Sequence, residues 1–157
     1  MRLSPAKTLR ITTAAFASHG AIPRRHAQEG ENLSPELSWS GLPESTKQLA
    51  LIVYDPDAPG TDPFVHWVAY GISPDATGLA EGETAPVEGL NSADAIGYAG
   101  PKPPPGHGPH HYFFWLFALD TALDLPSGLS REELGKAIDG HIIEQERLIG
   151  TFETPKG

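Results

Sequence analysis

Residues 47–54 read KQLALIVY, and the acidic, proline-rich run DPDAP follows them at 55–59. An apolar run of this length is typical of a buried β-strand, and the prolines end it because they lack an amide proton for the sheet ladder. Two further runs have the same character, VHWVAYGI at 65–72 and the aromatic YFFWLFALD at 112–120. Three such runs predict a mainly β protein.

Weaker patterns extend this prediction along the chain. KTLRITTAAF at 7–16 alternates apolar and polar residues, which predicts a first strand, and LSW at 37–39 predicts a short one. Residues 73–111 are rich in turn-forming residues and contain no helical pattern.

One strong helix is predicted over 130–148. Ser130 and Glu133 have the spacing of a capping box, and apolar residues recur along one helical face of this segment. Gly150 stands where a glycine commonly ends a helix, and residues 150–153 would return as a strand.

The composition excludes several classes of protein. The 157 residues include no cysteine, which excludes disulfide scaffolds, cysteine-ligated zinc sites and thiol nucleophiles. Eleven Lys and Arg residues against 20 Asp and Glu give a net charge of −9 without a basic cluster, so nucleic acid is not expected as a partner. The sequence contains neither an apolar stretch of the length that spans a membrane nor a continuous apolar segment of signal-peptide length. We therefore expect a single cytoplasmic domain over 1–157.

Glycine and proline are over-represented, with 17 and 16 residues respectively. The surplus is concentrated, because residues 100–109 alone contain three glycines and five prolines. Glycine lets backbone N–H groups approach a ligand, and proline removes conformational freedom. Next to several histidines, this composition predicts a stiff loop that could cradle a small anion.

Two carboxylates and four histidines lie in or near these proline-rich segments: Asp55, Asp57, His66, His107, His110 and His111. Each also has a purely structural interpretation, since Asp-Pro segments are common in turns and loop histidines often have no role. A metal site built from these side chains would match no established ligand spacing. His110 and His111 would also point to opposite faces of a strand. We predict no metal and no other cofactor.

Taken together, the motifs resemble the phosphatidylethanolamine-binding protein family, in particular its bacterial branch, which is often described as Raf-kinase-inhibitor-like. The resemblance is carried by DPDAP at 55–59, HW at 66–67 and GP-x-PPPG…HHY at 100–112. It extends over 34–59 and 122–153, and so covers nearly the whole chain. It implies an antiparallel β-sandwich with a few peripheral helices and a small anion-binding pocket at one end.

The resemblance also implies which residues bind the ligand, namely Asp55, Asp57, Phe64, His66, Gly100, His110 and Tyr112. Asp55 and His66 would line the floor of the pocket, and His110 with Tyr112 would close the opposite wall. Gly100 would offer backbone contacts, Asp57 would support the loop, and Phe64 would lie at the rim.

We therefore expect a small-molecule-binding protein whose pocket takes phosphate, a phosphorylated head group or a carboxylate. One alternative is an enzyme that performs proton transfer, elimination or cyclisation on a small substrate, with Asp55 and His66 as its acid–base pair and Tyr112 or His110 supplying the partner proton. The candidate catalytic residues are then Asp55, His66 and His110. Another alternative is an inhibitor of a kinase or protease, as some members of the family are. Bacterial relatives are often dimers, so a homodimer is a further hypothesis.

Overall fold

The computed structural model describes residues 7–156, which form two antiparallel β-sheets and one α-helix. The strands are β1 (Arg10–Thr12), β2 (Leu37–Ser40), β3 (Gln48–Asp55), β4 (Phe64–Ile72), β5 (Gly78–Leu79), β6 (Val87–Glu88), β7 (His110–Leu119) and β8 (Ile142–Phe152). The helix is α1 (Arg131–Ile138), and residues Arg24–His26 form a single 3-10 turn. Residues 1–6 and 157 of the predicted domain lie outside the described residues.

The smaller sheet has the strand order β1-β2-β5, and the larger one has the order β6-β4-β3-β7-β8. Their facing sides enclose the main core, while α1 covers the far side of the larger sheet. On β3, Leu51 and Val53 point into the main core, whereas Ala50 and Ile52 point towards α1. Because both faces of β3 are buried, the strand reads as a continuous apolar run. The predicted mainly β fold of antiparallel sheets with a helix near the carboxyl terminus is confirmed.

An irregularity in β4 changes the face that one of its side chains occupies. The pairing of β3 with β4 passes from Val53↔Trp67 to Tyr54↔Val65 and leaves His66 without a partner. An extra residue of this kind is a β-bulge, which bends the strand and re-aims a side chain. Trp67 faces the main core, and the ring of His66 lies edge-on to a tyrosine of that same core. The bulge thus turns His66 inward, where strict alternation would send it to the helix side.

The predicted helix over 130–148 is wrong in its second half. The chain leaves the helical conformation at Asp139, whose ψ is 131°, and Gly140 then adopts a φ of +82°. Ile142–Phe152 forms β8, which pairs with β7 along most of its length. Apolar residues four positions apart fit a helical face, but the long ladder with β7 outweighs that local preference.

Gly150, predicted to end the helix, instead lies within β8. A Cβ atom at this position would come 2.7 Å from side-chain atoms of Ile22 and Phe16. The glycine is therefore explained by the close approach of the amino-terminal loop to the strand, and not by a turn.

The other predicted elements differ from the structure mainly at their ends. The first strand, predicted over 7–16, is reduced to β1, while the bounds of β2, β3, β4 and β7 agree to within two residues. Residues 73–111 contain no helix, as predicted, but they include the short strands β5 and β6. Within residues 7–156, no helix is long and apolar enough to cross a membrane.

The capping box of α1 provides a test of the fold. The Ser130 hydroxyl accepts from the Glu133 amide at 3.1 Å, and the Glu133 carboxylate accepts from the Ser130 amide at 3.0 Å. We expect Ser130→Ala to lower the free energy of unfolding by about 1 kcal/mol in urea titrations. The exposed Ser127 is the matched control, since Ser127→Ala removes no cap. Equal stabilities of the two variants would contradict this account of the helix start.

Candidate functional site

Antiparallel pairing brings the polar residues of three strands to one end of the larger sheet. Asp55 ends β3 and pairs with Phe64 at the start of β4, while β7, on the other side of β3, begins at His110. Asp55, His66, His110 and Tyr112 are all buried there, with 1–4% of their surface exposed. Four polar side chains so deeply buried need partners, and those partners define the chemistry of the site.

Asp55 and His110 form the centre of the site. The Nδ1–H of His110 donates to Oδ2 of Asp55 at 2.6 Å, and the amide of Asp57 donates to Oδ1 at 2.7 Å. Both oxygens of Asp55 thus act as acceptors, as expected of a carboxylate. The bond to Asp55 also leaves Nε2 as the remaining nitrogen of His110 that can contact another group.

That nitrogen contacts a third histidine. Nδ1 of His107 lies 2.6 Å from Nε2 of His110, and the two ring centroids are 4.9 Å apart. With both imidazoles neutral, His107 donates to His110, and His110 donates to Asp55. The result is a continuous hydrogen-bonded chain from the buried carboxylate to the exposed ring of His107.

One ring nitrogen of His66 is bonded to the backbone, so only the other nitrogen is free. Its Nδ1–H donates to the carbonyl oxygen of Ala99 at 2.6 Å. Burial lowers the pKa of His66 below its usual value, although the bond to Ala99 and the nearby Asp55 act in the opposite direction. The ring is therefore neutral at pH 7 and presents Nε2 as a hydrogen-bond acceptor.

Tyr112 supplies the complementary group. Its ring lies 5.2 Å from that of His66, centroid to centroid, in an edge-on arrangement. Burial, reinforced by the charge of Asp55, raises the pKa of Tyr112 well above its usual value, so the phenol keeps its proton. Within residues 7–156 its hydroxyl has no hydrogen-bond partner, which leaves it free to donate.

These side chains border a cavity of about 280 Å³. Its polar lining consists of Gln28, Asp55, His66, Lys102, His110 and Tyr112, and its apolar lining of Ala58, Pro59, Phe64, Ala93, Pro103 and Pro104. Of the seven predicted ligand-binding residues, five therefore meet at one cavity. Its volume is close to the lower end of the range for small-molecule sites.

Gly100 and Asp57 are the two predicted residues that do not line the cavity. The Gly100 amide already donates to Oδ1 of Asn32 at 2.8 Å, and a Cβ at Gly100 would lie 2.0 Å from the carbonyl oxygen of His26. Gly100 therefore lets two loops approach each other closely, and its amide is not free for a ligand.

Asp57 holds the loop through its carboxylate, which accepts from both the amide and Nδ1 of His111, each at 2.8 Å. Burial alone would raise the pKa of Asp57, but the hydrogen bonds from His111 outweigh it, and the pKa lies below its usual value. His111 points outwards and is exposed, opposite to the buried His110, as strand alternation predicts.

A larger groove of about 400 Å³ lies on the far side of the larger sheet, beside α1. Its walls include the rings of Tyr54, Trp115 and Phe117, and the guanidinium of Arg131 lies 4.9 Å from the Tyr54 ring centroid. It has no buried ionisable side chain, so the smaller cavity is the better candidate for chemistry. Among residues 7–156, no group of three or more His, Cys, Asp or Glu side chains is placed to hold a metal ion.

Comparison with known proteins identifies the family of the chain. A family model described as phosphatidylethanolamine-binding protein matches residues 12–153. The chain belongs to this family.

Similar proteins include a Methanothermobacter thermautotrophicus protein of the UPF0098 group, which is 45% identical over 151 residues, or 92% of this chain and 98% of the relative. The crystal structure of the family homologue CT736 from Chlamydia trachomatis has a TM-score of 0.90 at 40% identity, covering 95% of this chain and 99% of that one. Escherichia coli YbcL has a TM-score of 0.87 at 30% identity, covering 93% and 98%. The predicted bacterial branch is confirmed.

Sequence reasoning missed Gln28 and Lys102 as cavity residues and left the role of His107 open. Gln28 follows the 3-10 turn, far from the other motifs along the chain, and no pattern marks it. Lys102 and His107 lie inside the proline-rich loop, where the spacing of glycines and prolines does not show which side chains turn inward.

The pKa of His66 leads to a prediction about stability. Above a pH of about 6.5 the ring is neutral in both the folded and the unfolded chain. Below that pH the unfolded chain takes up a proton that the folded protein excludes. The free energy of unfolding therefore decreases as the pH is lowered, by at most about 1.4 kcal/mol per pH unit for this one group. We expect His66→Gln to flatten this dependence in urea titrations, and His19→Gln, at an exposed histidine, to leave it unchanged. A profile for His66→Gln as steep as that of the wild type would refute the assignment.

Proposed function

We propose that this protein binds a small molecule with a phosphate, a phosphorylated head group or a carboxylate in the 280 Å³ cavity. The observation that carries the proposal is a pair of buried groups with free hydrogen-bonding capacity facing one cavity, Nε2 of His66 and the hydroxyl of Tyr112. Buried polar groups normally have partners, so an unused donor and an unused acceptor side by side fit a ligand that supplies both.

The charges around the cavity limit how such a ligand binds. The Asp55 carboxylate repels an anion, and neutral His66 offers a lone pair rather than a proton. The Tyr112 hydroxyl can donate to an oxyanion directly, but His66 can bond to it only if the ligand brings its own proton to Nε2 or if His66 takes one up from solvent. The ammonium group of Lys102, at the exposed rim, supplies a favourable charge. Binding is thus coupled to proton uptake and strengthens as the pH falls.

The apolar lining adds a second requirement. Phe64 and several proline and alanine side chains form the apolar part of the lining. Apolar surface of this kind favours a ligand whose acidic head is attached to a hydrophobic body, as in other small-molecule sites. Free phosphate would then occupy only the polar end and serve as a minimal probe.

Phosphate should raise the melting temperature of the protein, and by more at pH 6 than at pH 8. At ten times the dissociation constant the linkage relation gives about 1.4 kcal/mol, or roughly 3–6 °C for a chain of this size. Differential scanning calorimetry in phosphate, with chloride at matched ionic strength as the reference, measures the shift.

Variants test whether the phosphate-induced shift in melting temperature arises from binding at the cavity. His66→Ala should remove most of the phosphate shift and Tyr112→Phe should reduce it, whereas His141→Ala, on a half-buried histidine that pairs with Asp120 elsewhere, should leave it unchanged. An unchanged melting temperature of the wild type in millimolar phosphate at both pH values would contradict the proposal.

A second candidate, an acid–base enzyme, is favoured by the 2.6 Å bond between Asp55 and His110. A buried carboxylate that orients an imidazole is a common arrangement for proton transfer. Here the partner of Asp55 is His110 and not the expected His66. Exchange of α-hydrogens for deuterium in small ketones and keto acids, followed by NMR, tests for such an activity. Exchange by the wild type that is lost in Asp55→Asn supports the enzyme, and absence of exchange in the wild type counts against it.

The remaining expectations stay predictions. They are a cytoplasmic location, a single domain over 1–157, a homodimer and the inhibition of a kinase or protease.

A further inference from the structure

We propose that His107 is a gate residue, which competes with the ligand for Nε2 of His110 and delivers a proton to that nitrogen when it leaves. The inference rests on the proposed function, because it concerns the same cavity. It adds a residue outside the predicted set and a mechanism by which that residue controls binding.

The competition follows from the bonds of His110. Its Nδ1–H is committed to Asp55 at 2.6 Å, and its Nε2 to His107, also at 2.6 Å. His110 borders the cavity but has no nitrogen free for a ligand. A ligand can therefore bond to this side chain only after the His107 ring has moved away.

The loop around His107 is built so that the ring can move. Gly106 and Gly108 flank it with φ values of +72° and +81°, which few other residues adopt. A Cβ at Gly108 would meet no atom within 4 Å, so this side of the loop is unpacked. The Gly106 amide is anchored to the carbonyl oxygen of Thr154 at 3.0 Å. The amide of His107 is itself held by the carbonyl oxygen of Pro104 at 3.2 Å. The loop backbone is therefore fixed, and the movement is confined to the exposed side chain of His107.

An oxyanion also needs a proton on Nε2 of His110, which carries a lone pair while both imidazoles are neutral. The hydrogen-bonded pair of His107 and His110 can provide that proton. A proton from solvent binds Nε2 of His107, the proton on Nδ1 of His107 passes to Nε2 of His110, and His107 leaves as a neutral imidazole. The net change is one proton gained by His110, which becomes an imidazolium paired with Asp55 and can donate to the ligand.

The charged and titratable groups around this pair come from each neighbouring element. Asp55 on β3 stabilises a cationic His110, and so does Asp57 in the following loop. His66 on β4 opposes it when protonated, Tyr112 on β7 is a neutral phenol, and Lys102 at the rim opposes it. Lys156, near Gly106, is a further cation beside the loop.

The affinity for phosphate tests the gate. Removing the closed state with His107→Ala should tighten phosphate binding about three- to tenfold in calorimetric titrations at pH 8, since one hydrogen bond no longer has to be broken. The matched control His141→Ala should bind as the wild type does. Unchanged binding by His107→Ala would overturn the gate. Weaker binding would also overturn it, because His107 would then be a ligand contact.

A second measurement does not depend on affinity. In protein labelled with ¹⁵N-histidine, NMR should detect the coupling across the hydrogen bond between Nδ1 of His107 and Nε2 of His110, and phosphate should abolish it. A coupling that persists in the phosphate-saturated protein contradicts the gate and leaves the proposed function intact. Failure of the wild type to bind phosphate contradicts the proposed function, whereas absence of the coupling from the free protein contradicts the gate alone.

Discussion

The site depends on the burial of one carboxylate. Asp55 has 3% of its surface exposed, and a charge removed from water to that extent persists only if hydrogen bonds replace its hydration. It receives them from His110 on the adjacent strand and from the amide of Asp57 two residues later. The first bond ties the end of β3 to the start of β7, and the second turns the DPDAP loop back over the strand end. One requirement thereby fixes two features of the backbone and the tautomer of an imidazole.

The same end of the sheet gains its second imidazole through a departure from regular structure. Without the bulge in β4, the side chain of His66 would face α1, and the cavity would lack its acceptor. The bulge gives up regular pairing at one residue. The bond from His66 to the carbonyl oxygen of Ala99 offsets this loss and leaves Nε2 as the free nitrogen of a residue that lines the cavity. A one-residue irregularity in the backbone therefore supplies the cavity with its hydrogen-bond acceptor.

The extent to which sequence reasoning succeeds depends on how local the determining interaction is. The strands β3 and β4 were predictable because each buries both faces along most of its length, and β7 because its half-buried face is also made of aromatic residues. The segment 142–152 was not, because its spacing fits a helix and only its pairing with β7, more than 20 residues earlier, makes it a strand. Likewise Asp55, His66, His110 and Tyr112 are carried by motifs, whereas Gln28 comes from a distant loop and Gly100 is required by an approach to His26 that no motif shows.

The proline-rich loop places prolines, glycines and histidines in a definite order. Pro103 and Pro104 line the cavity, where a fixed φ keeps the wall from collapsing into an empty space. The glycines on either side of His107 come next, where rotation is useful, and His110 then enters the strand and is held by Asp55. A loop made only of prolines would not let the His107 ring move away from His110. A loop made only of glycines would not keep the cavity beside His110 open. The order of residues along this loop therefore supports a preformed pocket with one movable side chain at its edge.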